Sequence, residues 1–149
     1  MEHVTSTLCS KVIEDARTRL LSLIELLDVL EVAEVPPIVP SASETTAIGP
    51  VNLAIVSVWY RTLMDEPEIG TSRVILKAPD NKKIPLVAEQ KIDLETAISS
   101  RTLIFMPAMP YRGLGRYSFL VEQLSANGKW RATASLPLFL RLHQGAAAV

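Results

Sequence analysis

The chain has 149 residues, 48% of them hydrophobic, with one cysteine and a formal net charge of −1 from 15 basic and 16 acidic side chains. This length fits a single domain, residues 1–149, whose core needs no disulfide or metal to fold. One cysteine excludes an intramolecular disulfide, and balanced charge without a basic patch argues against a nucleic-acid partner.

Two features near the beginning of the sequence bear on localisation. The first residues lack the basic region and the apolar segment of a signal peptide. The apolar stretch Leu20–Val35 is too short for a membrane span and contains four acidic residues, which are costly at bilayer depth: Glu25, Asp28, Glu31 and Glu34. We therefore expect a cytoplasmic, soluble protein without a membrane partner.

The N-terminal part predicts one strand and one ambiguous segment. Val4–Ile13 alternates loosely and indicates a strand, followed by a turn over residues 14–18. Leu20–Val35 places leucines at helical spacing, and Leu and Glu favour helix, but a strand with one apolar face also fits. The residue pattern leaves helix and strand at even odds. Prolines then end either element and begin a long Pro-rich loop at 36–50.

The middle of the chain predicts short strands separated by turns. Val51–Leu63 is apolar on both faces, which is typical of a central strand covered on both sides. Pro79–Lys82 has the composition of a type I turn. The other predicted elements are strands at Ser72–Lys77, Ile84–Ala88 and Thr102–Met106, a short link with one helical turn at Asp93–Ala97, and a corner at Pro107–Gly115.

The clearest pattern lies near the C-terminus. Tyr117, Phe119 and Val121 alternate with mostly polar residues, as in a half-buried strand. Asn127-Gly128 predicts a type I′ hairpin turn, and alternation resumes at Trp130. Seven or eight such strands, without alternating capped helices, predict an all-β protein, an antiparallel β-sandwich that is immunoglobulin-like in character. Tyr117 is expected to tie the preceding corner through its hydroxyl group, as in a tyrosine corner.

Several short motifs follow one another in a suggestive order: Gly70-Thr-Ser-Arg-Val-Ile-Leu76, Pro79-Asp-Asn-Lys82, Gly115-Arg-Tyr-Ser-Phe-Leu-Val121, Asn127-Gly-Lys129 and Leu136-Pro-Leu138. Their order resembles that of a family of small uncharacterised bacterial β-sandwich proteins, best over the C-terminal half. The chain departs from the family at Lys82, where a glycine would complete the turn. The resemblance implies that Cys9–Val35 forms a hairpin and implies no activity.

Residues suited to catalysis are sparse. The two histidines, His3 and His143, lie near the ends of the sequence, and Cys9 lies in an alternating strand, where a small core residue is the favoured interpretation. No nucleophile motif, Gly-rich phosphate loop or calcium loop is present, and the acidic run from Glu25 to Glu34 is interpreted as a solvated strand edge. We therefore predict no catalytic residue, no cofactor and no metal.

The aromatic residues suggest the only ligand-facing candidates. Core packing is favoured over a carbohydrate platform for Tyr117 and Trp130 because both occupy alternating positions. Tyr111 lies between Pro110 and Arg112 in the corner and is expected to be exposed. The possible ligand-facing residues are therefore Tyr111, Arg112 and Trp59.

Three functions remain open at this point. A non-enzymatic structural or protein-interaction module is favoured, with a small-molecule or carbohydrate-binding domain as the alternative and a hydrolase without a recognisable motif third. A mean hydropathy of +0.25 indicates additional buried surface. Open strand edges, one of them marked by Pro137, invite pairing between copies. Self-association as a dimer is therefore expected, and a protein partner is possible.

Overall fold

The computed structural model describes residues 1–35 and 46–143, without the side chain of Ala88. In this part of the chain there is no helix, and hence none long and apolar enough to cross a membrane. The strands are β1 Glu2–Glu14, β2 Leu21–Leu26, β3 Val29–Val32, β4 Ala47–Ile48, β5 Leu53–Tyr60, β6 Glu68–Lys77, β7 Lys83–Leu94, β8 Ser99–Met106, β9 Met109–Pro110, β10 Gly115–Leu124 and β11 Trp130–Leu142.

Nine of these strands form two packed sheets. The four-stranded sheet has the order β2-β1-β5-β8, the five-stranded sheet has the order β3-β11-β10-β6-β7, and β4 pairs with β9. Every pairing is antiparallel except that of β11 with β3. The prediction of an all-β, antiparallel β-sandwich is confirmed. The predicted count of seven or eight strands is wrong, because residues 20–35 supply two strands and the two-residue strands β4 and β9 are too short to leave a pattern.

The main core lies between the two sheets and follows from alternation along the strands. On β10, Tyr117, Phe119 and Val121 all point inward, as predicted, and are at most 1% exposed. On β5, alternate residues face them across the core. The largest side chains with less than 2% exposure are Trp59, Tyr117, Phe119, Leu53, Ile55, Leu76, Ile92, Leu94, Met109, Leu138, Leu140 and Val74.

The ambiguous segment becomes strand because it passes from one sheet to the other. The Leu27 N–H group donates to the Leu8 carbonyl group in the four-stranded sheet, at 3.0 Å. The next residue, Asp28, accepts from the Phe139 N–H group in the five-stranded sheet, at 2.7 Å. Two adjacent backbone units thus serve different sheets, which a continuous helix cannot do. β1 and β2 form a hairpin that ends at Leu26, whereas the resemblance implied one over Cys9–Val35, because β3 pairs with β11 in the other sheet. The predicted helical turn at Asp93–Ala97 is absent, since β7 extends to Leu94.

The far end of the β1–β2 hairpin, which we name the arm (residues 11–24), crosses the outer face of the four-stranded sheet. The guanidinium group of Arg101 on β8 donates to the Arg19 carbonyl oxygen at 2.8 Å. Since β8 lies at the opposite edge from β2, this contact requires the arm to pass over β5. Side chains from the arm pack on a second buried cluster there, which explains why β5 is covered on both faces as predicted: Val12, Leu21 and Leu23 on Cys9, Ala54 and Val56.

Two hairpins have the same turn. In the β10–β11 turn, Gly128 has a φ of 75° and its N–H group donates to the Ser125 carbonyl group at 2.9 Å, whereas Asn127 keeps a negative φ. This is a type I turn followed by a left-handed residue, so the predicted type I′ turn is wrong. In the β6–β7 turn, Asn81 has a φ of 65° and donates to the Ala78 carbonyl group at 2.9 Å. Asn81 thus takes the left-handed position, and no glycine is needed at Lys82.

The two turns predict a matched pair of stability effects. A Cβ atom added to Gly128 meets no atom within 4 Å, so Gly128→Ala is expected to cost only the backbone strain, about 1–2 kcal/mol. Asn81→Ala should cost a similar amount, whereas Asn81→Gly should change the free energy of unfolding by less than about 0.5 kcal/mol. Urea unfolding of the three variants checks this, and an Asn81→Ala variant as stable as the parent would contradict it.

The predicted Pro-rich loop at 36–50 lies largely outside the described residues. Of its predicted span, residues 46–50 are described, and Ala47 and Ile48 form β4, which pairs with Pro110 and Met109.

Candidate functional site

The three residues predicted to face a ligand are not exposed together. Tyr111 is 4% exposed, so its expected exposure is wrong, and Trp59 is 0% exposed and does not face a ligand at the surface. Trp59 occupies an inward position on β5, where its indole N–H group donates to Thr102 Oγ1 at 3.2 Å. Tyr111 packs in the main core, and its backbone N–H group donates to the Thr46 carbonyl group at 2.7 Å. Neither ring can form a platform for a sugar.

Tyr117 ties the corner in the way the sequence predicted. Its hydroxyl group donates to the Gly113 carbonyl oxygen at 2.7 Å and accepts from the Arg112 N–H group at 2.9 Å. Burial raises the pKa of Tyr117, which keeps the hydroxyl group protonated and able to donate. The corner is therefore fixed to the start of β10, and the prediction of a tyrosine corner is confirmed.

Arg112 joins this corner to the β6–β7 turn. Its guanidinium group donates to Asp80 Oδ2 from Nε at 3.0 Å and from a terminal nitrogen at 2.8 Å. Asp80 Oδ1 in turn accepts from the Lys82 N–H group at 3.1 Å. The side chain of Arg112 is 22% exposed and its guanidinium group is bound to a carboxylate, so it fastens the corner to the turn, and its ligand-facing role stays a prediction.

A row of hydrogen-bonded polar side chains begins at His3, next to Trp59. His3 Nε2 is 2.7 Å from Ser6 Oγ, and Ser6 Oγ is 2.7 Å from Ser57 Oγ. The rings of His3 and Trp59 meet edge to face, with 4.9 Å between their centroids. Ser6 and Ser57 are directly opposed in the β1–β5 ladder, which places both hydroxyl groups on the inner face of the sheet.

The contact between His3 and Ser6 has the serine–histidine distance that a hydrolase requires, and both residues also have contacts within the sandwich. Ser6 Oγ is also held by Ser57, which is 2% exposed. His3 borders a surface groove, whereas Ser6 is not among the residues that line it. Within residues 1–35 and 46–143, no carboxylate makes an ion pair with His3 that would orient its ring as a catalytic base.

The partial burial of His3 leads us to expect a loss of stability in weak acid. Burial lowers the pKa of His3 below the ordinary value of 6.5, so the unfolded chain binds this proton more readily than the folded protein. The contribution of His3 to stability is therefore fully present above pH 6.5, and it is lost as the pH falls from there through the pKa that His3 has in the folded protein. We expect His3→Gln to reduce the difference in unfolding free energy between pH 7 and pH 5, measured with urea.

The exposed His143 provides the control for that measurement. It lies at the protein surface, 2.9 Å from Glu31, and His143→Gln measures how much an exposed histidine contributes to the same difference. An unaltered difference in the His3→Gln variant would contradict a role for the half-buried His3.

The remaining sequence candidates are accounted for structurally. Cys9 is fully buried, with its Sγ atom 3.7 Å from the Ala54 carbonyl oxygen, and lies under the arm. Of the acidic run, Glu25 accepts from Ser10 and Glu31 pairs with Arg141. No group of three or more His, Cys, Asp and Glu side chains suited to a metal ion occurs in the described part of the chain.

The most unusual surface feature is the free edge of β8. Its eight residues pair with β5 in one unbroken register, from Leu53 opposite Met106 to Tyr60 opposite Ser99. Within the described residues, no strand pairs with the other side of β8. Its sequence contains no proline and a single charge, Arg101, and Phe105 is 63% exposed. Such an edge presents a row of unpaired N–H and C=O groups.

The other strands with an open side are less suited to pairing. β7 contains Pro85 and two register shifts, which twist an edge away from a partner. β11 carries Pro137 on its open part, as the sequence predicted for an edge, and β3 covers its end from Phe139 to Leu142. β2 is short and has Glu25 at a φ of 53°. β8 is thus the edge best suited to accept another strand.

Sequence reasoning recognised Thr102–Met106 as a strand but not its position at an edge. The available signal was the continuous run Leu103-Ile-Phe-Met106, which lacks both proline and charge. That run fits a central strand equally well, because edge position depends on which strands become neighbours.

Comparison with known proteins gives no assignment. The chain matches no protein family, no curated protein and no solved structure. Fold and surface together define an all-β sandwich in which, among the residues that the structure describes, β8 has an open and regular edge.

Proposed function

We propose that this protein is a non-enzymatic interaction module whose docking element is the edge of β8, and that its partner is a second copy of the chain. The observation that carries the proposal is the unbroken, proline-free edge with an exposed Phe105. Adding a strand at such an edge is a common mode of recognition, in which main-chain hydrogen bonds give affinity and side chains give specificity.

Two copies of β8 can pair with complementary side chains when they are centred on Leu103. Two antiparallel copies related by a two-fold axis at Leu103 place Arg101 directly opposite Phe105 of the partner subunit. Both residues then lie on the same face, because directly opposed residues of an antiparallel pair share a face. The contact is a cation–π pair and occurs twice by symmetry. Leu103 meets its own copy at the axis.

The arm adds apolar surface beside this contact. Its tip lies over β8, where Arg19 and Leu21 border a groove with Ser99–Arg101 and Leu103. Leu20 at the tip is 64% exposed. In the two-fold arrangement, this end of β8 is opposite Phe105 of the partner subunit, so the arm can pack on that ring.

The immunoglobulin-like character also belongs to this proposal. The order β11-β10-β6-β7 corresponds to strands G-F-C-C′, and β5 pairs with β8 as strand B pairs with strand E. Tyr117 at the start of β10 occupies the place of the tyrosine corner on strand F. Membership of the family of small bacterial β-sandwich proteins stays a prediction, as does the cytoplasmic location.

Sedimentation equilibrium of the whole chain tests the proposal. A single edge pair is a small interface, so we expect a reversible dimer with a dissociation constant in the micromolar range. The weight-average mass should rise with concentration from that of the 16.4 kDa chain toward twice that value. A mass that stays at 16.4 kDa up to millimolar concentration would contradict self-association.

A further inference from the structure

A groove on the outer face of the five-stranded sheet concentrates positive charge. It has a volume of about 550 Å³ and lies beside the β6–β7 turn. Because side chains alternate between the two faces of a sheet, the residues of β6 and β10 that line the groove point away from the core. None of its lining residues is acidic. Three are cationic, Lys77, Lys83 and Arg116, and two carry hydroxyl groups, Ser118 and Ser135.

The strand register brings these side chains together. Lys77 is directly opposite Lys83 on β7 and directly opposite Ser118 on β10. Arg116 is two residues before Ser118 and therefore diagonal to Lys77. Cβ atoms of directly opposed residues are about 5 Å apart, and like charges in such a pair are destabilising. A ligand that neutralises Lys77 and Lys83 would remove this repulsion.

Neighbouring arginines on this side of the protein have carboxylate partners. Arg73 pairs with Glu122 at 2.7 Å, and Arg112 pairs with Asp80 at 2.8 Å. Within residues 1–35 and 46–143, no carboxylate makes an ion pair with Lys77, Lys83 or Arg116. The groove therefore holds three uncompensated positive charges in a protein whose net charge is −1, and such a site attracts anions.

We infer that this groove binds a phosphate group, either as free phosphate or as a phosphate ester. Phosphate carries up to two negative charges and several acceptor oxygens, which suit two ammonium groups, one guanidinium group and two hydroxyl groups. A single carboxylate would leave most of this charge unneutralised. The groove is on the sheet that does not contain β8, so this ligand site is independent of the proposed self-association.

NMR titration of the ¹⁵N-labelled chain at constant ionic strength tests the site. The probes are sodium phosphate, a hexose phosphate and the same hexose without phosphate. We expect saturable shifts of the Lys77, Lys83 and Ser118 amide signals with the phosphorylated probes. Tighter binding of the ester identifies a phosphorylated small molecule, and equal binding identifies free phosphate. Shifts that rise linearly without saturation, or that the unphosphorylated hexose reproduces, would overturn the inference.

Two exposed lysines provide a matched pair of variants. Lys83→Gln is expected to weaken phosphate binding about tenfold, the loss of one charge-assisted contact, whereas Lys129→Gln in the distant β10–β11 turn should leave it unchanged. Without phosphate, Lys83→Gln should raise the melting temperature because Lys77 loses its like-charged neighbour. Phosphate should stabilise the parent more than this variant. Equal weakening by both substitutions would overturn the site.

Discussion

Phe105→Lys is expected to convert the dimer to a monomer over the concentration range in which the parent associates. The substitution removes two cation–π contacts by symmetry and places a second cation opposite Arg101 of the partner subunit. The combined loss is about 2–4 kcal/mol, which weakens association by about thirtyfold or more. Sedimentation equilibrium measures the change, and the exposed position of Phe105 means that the fold should be unaffected.

Phe139→Lys is the matched control, because Phe139 is also an exposed phenylalanine but lies on the five-stranded sheet. It should leave the dissociation constant within about twofold of the parent, since a surface substitution outside an interface changes little. Adding Arg101→Glu to Phe105→Lys should restore association by making the opposed pair oppositely charged. Equal weakening by the two phenylalanine substitutions would show that β8 is not the interface.

Tyr117→Phe is expected to destabilise the fold by about 1–3 kcal/mol. The substitution keeps the ring in the core but removes both hydrogen bonds of its hydroxyl group. It thereby leaves the Arg112 N–H group and the Gly113 carbonyl group without the partners observed here. Urea unfolding measures the loss. Because the corner also holds Arg112 against Asp80, we expect the amide signals of the β6–β7 turn to shift in the variant.

Tyr60→Phe provides the comparison for that substitution. Tyr60 lies at the end of β5 with an exposed ring, so water can occupy the place of the hydroxyl group that the substitution removes. The expected change in unfolding free energy is below about 0.5 kcal/mol. A Tyr117→Phe variant as stable as Tyr60→Phe would contradict the role given to the tyrosine corner.

Much of the sandwich could be predicted because alternation reports local burial. The inward face of β10 and the double coverage of β5 both follow from the spacing of apolar residues. The tyrosine corner was also predictable, since Tyr117 follows a corner rich in glycine and proline. These features depend on residues close together in the sequence.

The remaining features depend on which segments become neighbours. Helical spacing in Leu20–Val35 was overridden because Leu27 and Asp28 pair with different sheets. Tyr111 is buried because the corner folds back onto the described segment at Thr46. The open edge of β8 and the opposed pair of Lys77 and Lys83 arise from sheet order and register, to which residues distant in the sequence contribute.

Disulfide trapping at the proposed two-fold axis tests the central claim most directly. In Leu103→Cys the introduced thiol groups of two copies would be directly opposed, at a Cα separation that a disulfide can span. Native Cys9 is fully buried and does not compete. Mild oxidation is expected to give a covalent dimer from Leu103→Cys and little from Ser100→Cys, whose thiol groups would lie far apart. Efficient trapping through Ser100→Cys, or none through Leu103→Cys while the protein remains dimeric, would contradict pairing about Leu103.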